Sequence, residues 1–422
     1  MDPLLPEEWW LAPVGEPSVS EPGPGVPVAV IDTGVDLTHP EFAQRTNTTP
    51  LNKQSVVDSA EDFHGTAVAS VVGAPANDVG MVGVYPQASL YTYDADLGGD
   101  LTNDDVISGI NTAAALGRVV INLSLGSRHL DPLLDDAILA AVRSGALIVA
   151  ASGNSGVTGP PEYPASLPHV LTVGATDQSG FAASFSSVSD GVDLAAPGVG
   201  ITAAVPLSYT VSGYQLLSGT SFSTPIVSGA AALVWTLRSN LDNTQLFDVL
   251  RFSAHDIPPT GFDPVTGYGL LDLPDALVRP APNPDSREPN DDIRLVKPGG
   301  LFASGLPPLT TTTRRDALAR GSVDAVEDPA DVYRIWVPAH GRVSLRASNS
   351  LVRLRIWRPA TRSIAESGRA AARDRAALGT RQIGAVNTST RGGYWYADVR
   401  FAHSFGNTRY ELTVKTTAPA KN

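Results

Sequence analysis

The sequence predicts an α/β protein: a doubly wound, mainly parallel sheet followed by an all-β sandwich domain. Three observations carry this. Nearly continuous apolar runs alternate with helical patterns through the first two-thirds of the chain, the last third switches to two-residue alternation, and charge divides along the same line. Residues 1–279 hold 8 Lys and Arg against 30 Asp and Glu, whereas residues 280–422 hold 22 against 13. Such asymmetry supports a boundary near residue 280, and 422 residues exceed what one ordinary core organises.

The apolar runs GVPVAVID (25–32), RVVINLSL (118–125), GALIVAAS (145–152) and PHVLTVGA (168–175) are strands of the kind a parallel sheet needs. Helices cover both faces of such a sheet, so its strands need no polar face. The intervening segments HGTAVASVVG (64–73), DVISGINTAAALG (105–117), DPLLDDAILAAVRSG (131–145) and STPIVSGAAALVWTLRSN (223–240) have helical periodicity. Strands alternating with helices predict a doubly wound sheet, whose sites form at the carboxyl ends of its strands. The Pro- and charge-rich stretch RPAPNPDSREPNDD (279–292) reads as a linker, giving an α/β domain over 1–280, a linker over 281–299 and a sandwich over 300–418. In DVYRIWVPAHGRVSLRAS (331–348), Tyr333, Ile335 and Val337 fall on one face, as do Val343, Leu345 and Ala347 after a turn. LVRLRIW (351–357), GGYWYADVRF (392–401) and RYELTVKT (409–416) alternate in the same way, the pattern of an antiparallel sandwich.

Composition narrows the function. The absence of cysteine removes thiol catalysis, disulfides and Cys-rich metal sites. The acidic first part argues against nucleic acid as a partner, and no apolar run is long enough to span a bilayer. The start, MDPLLPEEWW, lacks the basic and apolar regions of a signal peptide.

Three polar residues stand where strands end or helices begin: Asp32 in AVIDTGVD, His64 in DFHGTAVAS and Ser221 in SGTSFSTPIVSG. Pro225 is tolerable there because first-turn amides lack intrahelical partners. Singly, an Asp after a strand is ordinarily a turn or cap, and a Ser before a helix an N-cap. Together they supply what amide hydrolysis by serine requires: a nucleophile, an imidazole base, and a carboxylate that fixes the imidazole tautomer. Asn154, in AASGNSG, could join the Ser221 amide as an oxyanion donor.

These segments, in the order Asp, His, Asn, Ser and at this spacing, resemble the subtilisin-like serine proteases. The resemblance runs over about residues 2–280 through NLSLG (122–126), EYPAS (162–166), VGATD (173–177), AAPG (195–198) and GYGLLDL (267–273). It implies Asp32 as orienter, His64 as general base and acid, Ser221 as nucleophile and Asn154 as oxyanion donor. Phe222 departs from the family's usual Met, removing an oxidisable thioether beside the reaction centre. Ile226 replaces a common His, and Ser223 and Ser228 replace Ala. His39, His129, His169 and His255 lack catalytic context and read as structural or surface residues, His39 as packed.

By the same resemblance, extended substrate lies along Leu97, Gly98 and Gly99 on one side and Ser124, Leu125 and Gly126 on the other. The residue before the cleaved bond enters a pocket between Leu125–Gly126, Ala151, Ser152 and Gly153, and Tyr163, Pro164 and Ala165. Small apolar walls, with Ser155 where several relatives carry Glu, lead to the expectation of a large apolar or aromatic side chain there. The loop GAPANDVGMVGV (73–84) resembles the family's calcium loop, with Glu41, Pro75, Asn77, Val79 and Met81 as ligands and no recognisable N-terminal contribution. The bland reading is a solvated Gly/Asn loop. No organic cofactor is implied.

The last third, from SREPNDD through EDPADVYRIWVPAHG, resembles the bacterial pre-peptidase C-terminal domain over about 286–417. Glu288, Asn290, Asp291, Asp292, Asp328 and Asp331 are either a second calcium site or turn formers. Arg342, Arg346, Arg353, Arg355 and Arg358 make this region basic, open to docking on the acidic part or to an anionic surface. The resemblance implies a secreted, monomeric bacterial endopeptidase acting on polypeptides, with Met1 as an expression start and the export and pro-segments removed. A catalytically silent binding protein and a peptide ligase or maturation protease remain the competing readings.

Overall fold

A computed structural model describes residues 2–20, 22–56, 62–160, 162–366, 370–373, 381–404 and 406–419, so Met1 lies outside it. The chain divides into two units, Met1–Pro284 and Asp285–Asn422.

The first unit is built on seven parallel strands: β1 (Val28–Asp32), β2 (Thr48–Pro50), β3 (Leu90–Asp94), β4 (Val120–Leu123), β5 (Leu147–Ala151), β6 (Val170–Thr176) and β7 (Leu194–Pro197). Their spatial order is β2-β3-β1-β4-β5-β6-β7. The order reverses at β1, between β3 and β4, and that reversal opens a crevice above the strands' carboxyl ends.

Both faces are buried, as the continuous apolar runs require. Val28 and Val30 pack with the helices Phe63–Gly73 and Thr220–Leu237 in one core. Ala29 and Ile31 point the other way, into a core shared with helices Asn103–Ala114 and Pro132–Ser144. Asp131 caps the last of these by accepting from the Leu133 amide at 2.9 Å, Pro132 opens it, and Gly145 closes it at φ 101°. A hairpin of β8 (Ile201–Ala204) and β9 (Tyr214–Leu217) precedes the long helix Thr220–Leu237. No helix among the described residues is long and apolar enough to cross a membrane.

The second unit is a β-sandwich of two antiparallel sheets. One has the order β10-β17-β12-β15 and the other β11-β16-β13-β14. The strands are β10 (Asp316–Asp324), β11 (Ala330–Val337), β12 (Arg342–Ala347), β13 (Val352–Trp357), β14 (Ala370–Arg373), β15 (Arg381–Val386), β16 (Gly393–Phe401) and β17 (Asn407–Thr417). Their inward residues, among them Tyr333, Ile335, Val343, Leu345, Leu354 and Val399, form one core. On β12, Arg342 and Arg346 alternate outward with them. Within 281–299, the stretch expected to be linker, Asp285, Glu288 and Asn290 are buried and a short helix, Ile293–Val296, packs on Val332 and Trp357.

One close approach sets the entrance to the crevice. The Gly65 amide donates to Thr33 Oγ1 at 3.1 Å, and a Cβ on Gly65 would stand 2.2 Å from the Gly34 carbonyl oxygen. Backbone cannot yield there as a flexible side chain would. Gly65→Ala is therefore expected to destabilise the first unit by about 1–3 kcal/mol, seen as a lowered calorimetric midpoint; an unchanged midpoint would contradict this packing.

Candidate functional site

Asp32 is the last residue of β1, where the sheet order reverses. It is 2% exposed, and its Oδ1 accepts from the Thr33 amide at 2.8 Å and meets His64 Nδ1 at 2.7 Å. A carboxylate on Nδ1 leaves Nε2 as the basic nitrogen of the ring. His64 is the second residue of the helix Phe63–Gly73, one place later than the motif suggests, and its ring neighbours Phe63 and Phe222 at 6.3 and 5.6 Å between centroids.

Ser221 is the second residue of the helix Thr220–Leu237. Its Oγ donates to the Ser124 carbonyl at 3.1 Å, while Ser124 Oγ donates to the Ser221 carbonyl at 2.8 Å. Pro225 explains this reciprocal clamp. It is the sixth helical residue, not a first-turn one, so its missing N–H withholds the ordinary i→i−4 donor from the Ser221 carbonyl. Ser124 supplies the missing donor. Behind it, Asn122 Nδ2 donates to Ser124 Oγ at 3.0 Å, and Ser228 Oγ donates to Asn122 Oδ1 at 2.9 Å. Ser228, which stands where Ala was expected, thus ends a buried polar chain that reaches the Ser221 carbonyl. Ser223 bonds the Pro197 carbonyl at 3.1 Å.

Asn154 follows β5. Its Oδ1 accepts from Thr220 N at 2.9 Å and Thr220 Oγ1 at 3.1 Å, which turns the amide so that Nδ2 is the donating side. Gly153 N reaches Thr220 Oγ1 at 3.2 Å. The helix start, the end of β4 and the end of β5 are thereby fixed to one another.

The two expected substrate edges follow strands that flank β1. Leu97 is exposed, and Gly98 and Gly99 take φ of 123° and 87°, a turn open to residues without Cβ. On the other side Ser127 and Tyr163 exchange backbone bonds of 2.8 Å, which brings Leu125 and Gly126 against Tyr163, Pro164 and Ala165. Ala151, Ser152 and Gly153 adjoin them through the bonds just described. The sequence reading missed one residue here. The Glu162 carboxylate lies against Gly126 and Gly153 and accepts from Ser155 Oγ at 3.1 Å. Its position directly before Tyr163, in a segment already assigned to the pocket wall, was the available signal.

Around the 75–81 loop, Glu41 is fully buried. Its Oε1 accepts from Met81 N at 2.9 Å and Tyr214 OH at 2.7 Å, while Oε2 has no donor. Burial pushes its carboxyl up to about 7. Asp2 Oδ1 accepts from Asn77 N at 2.9 Å, so the N-terminus does contribute to this loop. Glu8 Oε1 accepts from Val82 N at 2.9 Å, and burial pushes Glu8 up to about 8. Several oxygens that a cation would use here are engaged by N–H groups. His39 is packed: Nδ1 accepts from Glu41 N and Nε2 meets the Gly213 carbonyl at 3.0 Å.

In the second unit Asp285, Glu288, Asp328 and Asp331 bring carboxylate oxygens within 4.8 Å of one another. Burial first, then mutual repulsion, raises Glu288, Asp328 and Asp331 well above the carboxylate range. Asn290, also buried, donates to Asp331 Oδ1 and leaves its own Oδ1 without a partner. Tyr410 OH donates to Asp331 Oδ2, and Gly321 leaves the room a side chain would fill. Asp285 was not foreseen. Asp292 instead caps the helix Ile293–Val296 and accepts from Ser363 Oγ at 2.6 Å, a structural role.

The pattern described as the subtilase family matches residues 23–269. Subtilisin Savinase of Lederbergia lenta is 38% identical over 250 residues, 59% of this chain and 89% of its own. An alkaline protease of Alkalihalobacillus alcalophilus is likewise 38% identical, but the match spans 63% of its length, less than two thirds. Among solved structures, the prenylagaramide maturation protease PagA matches at TM-score 0.52 and 34% identity, over 60% of this chain and 92% of its own. Sphericase matches at TM-score 0.52 and 29% identity, over 62% and 96%.

Removing the donor that replaces the Pro225 N–H should be costly. Ser124→Ala leaves the Ser221 carbonyl and Asn122 amide unmatched in a buried setting, for an expected loss of about 1–3 kcal/mol. Denaturant unfolding measures this; a midpoint equal to that of the unaltered protein would argue against the clamp.

Proposed function

This chain belongs to the subtilase family of serine endopeptidases, and we propose that it cleaves proteins through an acyl-enzyme on Ser221, with Asp32, His64 and Asn154 as its partners. The observation that carries the assignment is the 2.7 Å contact of His64 Nδ1 with buried Asp32, at the sheet's reversal point. A χ1 rotation takes Ser221 Oγ from the Ser124 carbonyl toward the imidazole. Nε2 accepts the hydroxyl proton as Oγ bonds to the substrate carbonyl carbon. The tetrahedral oxyanion takes hydrogen bonds from the Ser221 amide and Asn154 Nδ2. His64 then gives its proton to the leaving amine, which breaks the peptide bond, and water repeats the sequence to release the acid.

Extended substrate lies between Leu97–Gly99 and Ser124–Gly126, and the residue before the cleaved bond enters the pocket that Leu125, Gly153 and Tyr163–Ala165 enclose. Export from a bacterial cell and a monomeric state are part of the same reading, supported by the family. Ser221→Ala should lower kcat by about 10⁶-fold while leaving the fold intact, and a fluorophosphonate should label the unaltered protein at Ser221 alone. Absence of labelling would mean a silent binding protein on this fold. Transfer of the acyl group to added amines, read by mass spectrometry, would instead indicate a peptide ligase.

Calcium is the cation this chain's oxygens suit. Asp285, Glu288, Asn290, Asp328 and Asp331 offer hard oxygens around one point, and the partnerless Asn290 Oδ1 supports the fit. There a divalent charge would offset the repulsion among the carboxylates. Glu41, Pro75, Asn77, Val79 and Met81 are the second candidate set, supported by Glu41 Oε2 and weakened by the N–H groups that occupy its neighbours. Chelation with EDTA is expected to lower the calorimetric midpoint of the second unit, with recovery on adding calcium and not magnesium. A midpoint indifferent to both would remove calcium from the account.

A further inference from the structure

We infer that Glu162 makes this protease selective for lysine or arginine on the amino side of the cleaved bond, an inference that rests on Ser221 being the nucleophile. A Cβ built on Gly153 would stand 2.4 Å from the Glu162 carboxyl carbon and 2.5 and 2.7 Å from its oxygens. One on Gly126 would stand 2.9 Å from Oε2. The carboxylate thus occupies space that two side-chain-free positions leave, one after β4 and one after β5. Those positions belong to the substrate crevice: Gly126 lies two residues beyond Ser124, which is clamped to Ser221, and Gly153 is bonded to Thr220.

The carboxylate has no cation of its own. Its side-chain hydrogen bond comes from the neutral hydroxyl of Ser155, and among the described residues no Lys, Arg or His forms an ion pair with it. Arg128 is linked to it only through Ser155, whose Oγ its exposed guanidinium reaches at 3.3 Å. A half-buried carboxylate held by one hydroxyl gains most from a partner that brings positive charge and several donors. Lysine and arginine carry such a head on an apolar stem, and the stem suits walls made of Leu125, Ala151, Pro164 and Ala165. A phenylalanine or leucine would strip water from the carboxylate and return nothing to it. The earlier expectation of an apolar or aromatic side chain was drawn from walls considered without this group. The excess of acidic residues over the first 279 adds an attractive field for cationic peptides.

The test is cleavage of a mixed peptide library by the full chain, with kcat/KM then measured for matched substrates bearing Arg, Lys, Phe or Leu before the bond. Arg and Lys are expected to exceed Phe and Leu by about 10- to 100-fold. Glu162→Gln should abolish that ratio, and Glu162→Asp should keep part of it. Equal fluorophosphonate labelling of Ser221 in each variant shows that the variants are folded. Independently of any variant, a peptide ending in argininal should inhibit the unaltered enzyme more tightly than one ending in phenylalaninal. Preference for Phe or Leu by a protein that labels at Ser221, or a ratio unchanged in Glu162→Gln, overturns the role of Glu162 alone. A protein that neither labels nor cleaves overturns the nucleophile assignment as well.

Discussion

The hydrogen-bond donor that Pro225 does not have is the constraint around which the catalytic region is arranged. A proline inside a buried helix leaves one carbonyl unmatched, and here that carbonyl is the one belonging to Ser221. Ser124 answers it, and Asn122 and Ser228 in turn fix Ser124. The end of β4 therefore cannot shift relative to the helix without stranding buried polar groups. That rigidity is what a preorganised site requires, since a displaced nucleophile would meet neither its base nor its oxyanion donors.

Much of this was readable beforehand, for identifiable reasons. Fully buried strands announce themselves by unbroken apolar runs, and β1, β4, β5 and β6 all fell where those runs lie. Asp32, His64, Asn154 and Ser221 were singled out because their motifs, in order and spacing, resemble those of the subtilisin-like proteases, while each alone reads as a turn or cap. What stayed hidden depends on contacts between distant segments. Ser228 read only as a replacement for Ala because its partner, Asn122, is 106 residues away. Glu162 was passed over because its neighbours Gly126 and Gly153 become neighbours only after β4 and β5 pair. Asp2 escaped notice at the 75–81 loop for the same reason, and Asp285 looked like linker until β10 and β11 brought Asp331 and Ser322 beside it. The reading of Pro225 as a first-turn residue failed because the helix begins three residues before the apolar pattern does.

The two units solve opposite electrostatic problems. The first spreads its acidic residues along its length, from exposed ones such as Asp78 and Asp100 to buried ones such as Asp32, Glu41 and Asp193, each of which accepts a backbone N–H. The second is basic overall yet draws carboxylates together at one point, with Asp285, Glu288 and Asp331 buried and Asp328 half-buried. Its sheets expose arginines in alternation with core residues, so its cationic character belongs to its faces and its acidic cluster to its interior.

A crevice that ends in the Glu162 carboxylate gives the uneven distribution of lysine and arginine a further meaning, that of self-digestion. Only 8 of the 30 cationic residues lie before residue 280, and among these Arg251 is 6% exposed and clasped by Asp193 and Asp248. With the selectivity inferred for Glu162, the first unit offers such a crevice few places to cut. The second unit, with 22, offers many, Arg342, Arg346 and Arg353 among those facing solvent. Autolysis in such a molecule would fall first on the appended sandwich, leaving the first unit the longer-lived of the two.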